Sequence, residues 1–240
     1  AASRELSVAQ GCGGDSSAPG PVGRRGGHLP LPGNGSAVLT IHGSAVSGNA
    51  VPLIDNRGGT LVLESGAVVT NHISTEDYAG IKNKGSFIMN GGRIANCQGK
   101  TGGAVSVTEA SGSFEMNGGE ITGNSAKEGG GLFLSNGSTF RMNGGRISQN
   151  SGYDIVVRGG KPSATTISLS GDAEVSSIHL QNDIANGLSA PVMQIASGFS
   201  GTVSGISYTT VVSDTPFARF ASAEEAAVSQ GQFIPASGKY

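Results

Sequence analysis

Apolar residues in this chain come in short alternating bursts, cut apart by glycine pairs and asparagines. Phe87 and Met89 flank Ile88, Phe114 and Met116 flank Glu115, and Phe140 and Met142 flank Arg141. A period of two with a variable residue between marks a strand with one face buried. A second piece is briefer, a lone Ile94, Ile121 or Ile147, followed three places later by Cys97, Asn124 or Asn150. The third alternates again, as Val105/Val107, Leu132/Leu134, Ile155/Val157 and Ile178/Leu180. Helical periodicity is missing here, and the glycine pairs leave pieces too short for a helix.

The pieces recur almost letter for letter. Residues 85–94 read GSFIMNGGRI, residues 112–121 GSFEMNGGEI and residues 138–147 STFRMNGGRI. Looser copies run from Leu39 through Val46, Leu61 through Val68 and Ile167 through Val175. The anchors Ile41, Leu63, Met89, Met116, Met142 and Leu169 are spaced 22, 26, 27, 26 and 27 residues apart. Three strands per ~26 residues, with so little drift, predict an all-β, single-stranded parallel β-helix whose turns stack ~4.8 Å apart. Six turns make a column ~25–30 Å long. A β-propeller needs longer blades, of ~40–50 residues, and an antiparallel sandwich does not demand letter-level recurrence.

Stacking turns each repeated position into a row. Phe87, Phe114 and Phe140, with Leu61 and Leu39, form one inward column, and Met89, Met116 and Met142 a second. Asn90, Asn117 and Asn143 line one corner; Asn49, Asn71, Asn124 and Asn150 line another, where amides bond the turns above and below. Cys97 takes the asparagine's place in its own turn, as a small buried thiol. Arg93, Glu120 and Arg146 occupy one outward position with alternating sign, which suits a solvated charge row that holds register.

Composition divides the chain. Glycine numbers 41 of 240 residues against 9 prolines, too few and too irregular for collagen. Apolar residues make up 36%, enough for a core. Residues 1–35 read as a flexible Gly/Pro/Ser-rich tether, residues 36–183 as the β-helix, and residues 184–240 as irregular terminal turns with a cap. In that last part Ser222, Ala223, Glu224 and Glu225 form a capping-box pattern that opens a short C-terminal helix. Fifteen basic and 17 acidic residues leave a net charge of −2, without the basic stripe that nucleic acid requires. No apolar run approaches the ~18 residues of a membrane span.

The unit Phe-x-Met-Asn-Gly-Gly-x-Ile-x-x-Asn, followed by Gly-Gly and two small or aliphatic residues at 102–105 and 129–132, resembles the repeat of bacterial right-handed parallel β-helix surface proteins, the pectate-lyase-like fold. It is similar, more loosely, to the tetrapeptides of chlamydial polymorphic membrane proteins. Ile54–Gly58 and Ile81–Gly85 match another form of the third strand in such adhesin-like chains. The resemblance covers roughly residues 36–183. It implies a right-handed coil and a non-catalytic adhesin or structural spacer, secreted or on the bacterial cell surface. Partners on this reading are a carbohydrate or a host surface protein, with an upstream domain or cell-envelope anchor. The surroundings of Cys12 resemble the lipidated cysteine of a bacterial lipoprotein, although residues 1–11 hold no hydrophobic segment. The alternative is a polysaccharide lyase or glycoside hydrolase of this fold, or its inactive remnant.

Enzymes of that kind gather carboxylates on one face, to hold calcium beside a basic residue or to cut a glycosidic bond. Here the acids of the repeats are scattered, so no catalytic residue, metal site or cofactor is expected. His28, His42, His72 and His179 lack metal-ligand spacing. The one strip that stacking gathers is a variable polar loop after the second strand: Glu76, Asp77 and Tyr78, then Lys100, then Lys127 and Glu128, then Tyr153 and Asp154. Variable loops on a regular scaffold are where ligands bind, so these eight residues are the ligand-binding candidates, beside the plainer reading of solvated loop tips.

Overall fold

The computed structural model describes residues 3–6, 29–31, 37–42, 45–46, 52–74, 80–181, 187–209 and 218–220. Every regular element among them is a strand. The C-terminal helix expected near Ser222 lies outside the described residues, as does Cys12. The strands form three sheets of nine, seven and eight members, and each strand pairs with its equivalents in the turns before and after. All pairings between strands are parallel, from Ser3–Leu6 on Val38–Ile41 to Ile195 on Phe220. The chain is a parallel β-helix of ~26-residue turns.

The first sheet carries the Phe-x-Met strands. In register from turn to turn lie Leu39, Leu61, Phe87, Phe114, Phe140, Ile167 and Met193. All are buried. The Phe87 and Phe114 rings stack at 4.4 Å with planes 9° apart, and Phe114 and Phe140 at 4.9 Å. Burial of such a side chain is worth ~1.5–3 kcal/mol, and the aromatic contact adds about 0.5–1.5 kcal/mol. Two residues further along the same strands, Ile41, Leu63, Met89, Met116, Met142, Leu169 and Ile195 make the second column, fully or almost fully enclosed.

Between the first and second sheets the chain turns at the Asn-Gly-Gly sequence. Gly119 has φ 89°, and a Cβ there would sit 2.6 Å from the Gly92 carbonyl oxygen. Backbone meets backbone at that corner, so only glycine fits. Asn90, Asn117 and Asn143 line it as expected: Asn117 Nδ2 donates to Asn90 Oδ1 at 3.0 Å and Asn143 Nδ2 to Asn117 Oδ1 at 2.7 Å. In the second sheet Arg93, Glu120, Arg146 and Glu174 share one position, with ion pairs Arg93–Glu120 at 3.1 Å and Arg146–Glu174 at 2.7 Å.

The second asparagine row differs from expectation by one place. Asn71 does not belong to it. Register puts Asn71 level with Asn96, Gly123 and Gln149, and these four have φ of 55°, 56°, 66° and 60°. Asparagine tolerates that left-handed corner, which explains its presence there. The row itself runs His72, Cys97, Asn124, Asn150, and Asn49 lies outside the described residues. Cys97 N–H donates to Asn124 Oδ1 at 3.0 Å, and Asn124 Nδ2 donates to Asn150 Oδ1 at 2.9 Å. Buried desolvation raises the Cys97 thiol to about 11.

Two strands fall inside the stretch whose composition suggests a tether. Leu29–Leu31 pairs with Ile54–Asn56 and Ser3–Leu6 with Val38–Ile41, and Leu31 is buried. At the other end the repeat outlasts its sequence signature: Val192–Ile195, Thr202–Val203 and Ile206–Tyr208 extend all three sheets in register.

Candidate functional site

The third sheet is built differently from the others. Its inward residues, such as Leu132, Leu134, Ile155 and Val157, belong to the core. Its outward row runs Asp55, Lys82, Ser106, Phe133, Val156, His179, Ser207. Ser106, Phe133 and Val156 are nevertheless buried. The cause is the glycine-rich loop before each strand, which folds back over the sheet: a Cβ on Gly102 would lie 2.8 Å from Ser106 Cβ, and one on Gly129 would lie 3.2 Å from Phe133 Cα. The Ser106 hydroxyl beneath this loop has no hydrogen-bond partner.

Where the covering loop runs out, polar and aromatic groups converge. Arg158 Nη2 donates to Glu128 Oε2 at 2.8 Å, its Nε donates to Gln181 Oε1 at 3.0 Å, and its guanidinium lies 5.2 Å from the centre of the Phe133 ring. One arginine thus ties three turns together. Beside it the Tyr153 ring stacks on His179, 4.5 Å between centres and 12° between planes. His179 is fixed from the far side, with Nδ1 at 2.8 Å from Ser207 Oγ and Nε2 at 3.1 Å from Thr209 Oγ1. Burial pushes the His179 pKa below its ordinary value, and the nearby Glu128 carboxylate pulls it partly back. Tyr208, 38% exposed, is in register with the inward Leu180 and not with this outward row.

Of the eight candidate residues, Glu76, Asp77 and Tyr78 lie outside the described residues. Lys100 and Lys127 are exposed on adjacent turns, joined by Lys127 N–H to the Lys100 carbonyl at 3.0 Å. Glu128 is half-buried against Arg158, and Tyr153 is 44% exposed. These four stand along one edge. Asp154 does not join them. It is 2% exposed and closes the buried asparagine row, accepting from Asn150 N–H at 3.0 Å, Asn150 Nδ2 at 2.8 Å and Ser177 Oγ at 2.7 Å. A carboxylate so fully supplied with donors is a structural terminus.

Sequence reasoning missed Arg158, His179 and Phe133. Two of the three could have been found, because Phe133 and His179 occupy the outward place in the alternation Leu132/Leu134 and Ile178/Leu180. No group of three or more histidine, cysteine or acidic side chains suited to a metal ion occurs among the described residues. The fold defines the protein as a parallel β-solenoid. No family model matches the chain, nor does any curated protein or solved structure.

Proposed function

We propose that this chain is a non-catalytic β-helix module, secreted or displayed on a bacterial cell surface, that acts as an adhesin or spacer and binds its partner on the outer edge of the third sheet. The observation that carries this reading is where the repeat is broken. The inward columns and the asparagine corner hold equivalent residues from turn to turn, whereas outward positions vary, as in the first-sheet row Thr40, Val62, Ile88, Glu115, Arg141, Ser168, Gln194. On the third sheet the outward side chains change in kind from turn to turn, and Tyr153, His179, Arg158 and Glu128 gather there. Aromatic rings beside a fixed charged and amide group suit recognition of a carbohydrate or a host surface protein. The resemblance of the repeat to bacterial right-handed β-helix surface proteins supports the cellular setting, and a fold alone does not assign chemistry.

The test is a screen of the purified full chain against pectin, alginate and host glycans, with and without calcium. Retention is read by affinity electrophoresis and bond cleavage by release of new reducing ends. Binding without cleavage is the expected result. Cleavage would replace this reading with that of a polysaccharide lyase or glycoside hydrolase.

A further inference from the structure

Tyr153 stands where the two preceding turns use glycine. The hydrogen bonds from Gly102 N–H to the Glu128 carbonyl and from Gly129 N–H to the Gly152 carbonyl put Gly102, Gly129 and Tyr153 at one position in three successive turns. Their φ angles are 63°, 64° and 70°. A bulky side chain in the left-handed region is disfavoured, and such a residue persists where something else over-determines it. The core does not supply that reason, because the ring is 44% exposed.

The ring is nonetheless held in one orientation. His179 supports one face at 4.5 Å and is itself anchored through both nitrogens by Ser207 and Thr209. One turn earlier the equivalent position is Gly129, which has no side chain to stack on the opposite face. Close by, Glu128, Arg158 and Gln181 form a hydrogen-bonded arm whose spare donors and acceptors reach solvent, since Arg158 and Glu128 are 39% and 30% exposed. A propped flat ring beside a carboxylate, a guanidinium and an amide matches the two sides of a pyranose: an apolar C–H face and a rim of hydroxyls.

We infer that Tyr153 is the stacking platform for a pyranose unit of a bound glycan, and that Glu128, Arg158 and Gln181 take its hydroxyls. The inference rests on the proposed role of this edge as a binding face and names the ligand class and the contact residue. Its test uses the same pectin, alginate and host-glycan panel with Tyr153→Gly and Tyr153→Phe. Glycine suits the backbone of this corner, so the expected melting temperature of Tyr153→Gly is equal to or above that of the parent. Its affinity for the retained glycan should fall at least about tenfold. Tyr153→Phe keeps the ring and should bind within about threefold of the parent.

A Tyr153→Gly protein that binds like the parent overturns the platform while leaving the binding face intact. So does one whose weaker binding tracks a lower melting temperature, because the ring then serves the fold. Retention of a protein partner but of no glycan overturns the platform alone. A parent chain that retains nothing overturns both readings.

Discussion

Asn124 and Asn117 are seven residues apart, both belong to asparagine rows, and substituting leucine at each should have unequal consequences. Asn124 is 1% exposed; its Oδ1 accepts from Cys97 N–H, and its two Nδ2 hydrogens are shared among the Ile94 carbonyl, the Thr122 carbonyl and Asn150 Oδ1. In Asn124→Leu the Cys97 amide becomes a buried donor without an acceptor, which costs about 1–3 kcal/mol, and the two bonds that the Nδ2 hydrogens make, about 1 kcal/mol each, are lost. Burial of the leucine side chain returns about 1.5–3 kcal/mol. The net loss is about 2 kcal/mol, or a fall of about 4–8 °C in melting temperature for a chain of this size.

Asn117 is exposed, and its bonds to Asn90 and Asn143 can be replaced by water. Asn117→Leu should therefore stay within about 0.5 kcal/mol of the parent. Urea denaturation measures both, with an unchanged slope expected for each. Equal losses in the two variants, or a stable Asn124→Leu protein, would refute the idea that burial makes one row structural and leaves the other dispensable.

Glu120→Arg places a third cation between Arg93 and Arg146; the melting temperature should drop by the equivalent of about 1 kcal/mol, and added salt should shrink the loss, as thermal melts at two ionic strengths will reveal. Ser106→Ala removes a buried hydroxyl that has no partner, so it should leave stability unchanged or raise it by about 1 kcal/mol in urea; a clear loss would mean the hydroxyl is satisfied in solution. His179 has a folded pKa below its ordinary 6.5, so its neutral form is the one the fold favours. Its contribution is therefore complete above that value and lost as pH falls below it. Melting curves across that window should show a steeper acid loss for the parent than for His179→Gln, and parallel curves would contradict the assignment.

Much of the coil was legible because stacking copies the same demand into every turn. Phe87, Phe114 and Phe140 reveal a column by letter identity alone, and the 26-residue interval then fixes which strands pair. Legibility fails where two demands favour one residue type. Asparagine suits both a left-handed corner and an amide row, so Asn71 reads as a member of the row whose place in that turn belongs to His72. It fails again where a charged loop residue is drawn inward. Asp154 follows an exposed Tyr153, and only the three-dimensional path brings Asn150 and Ser177 to its oxygens. The candidate edge was half visible: Lys100, Lys127, Glu128 and Tyr153 lie in one loop of successive turns, whereas Arg158 reaches Glu128 from 30 residues away.

The parallel pairing of every turn with its neighbours has a mechanical consequence. Hydrogen bonds between turns point along the coil axis, so tension applied to the two chain ends peels turns off one by one instead of shearing whole sheets at once. Each released turn of ~26 residues lengthens the chain by roughly 90 Å, while the remaining coil keeps its nearest-neighbour contacts. Under load such a molecule yields in small equal steps, a shock absorber whose stroke is set by the number of its turns.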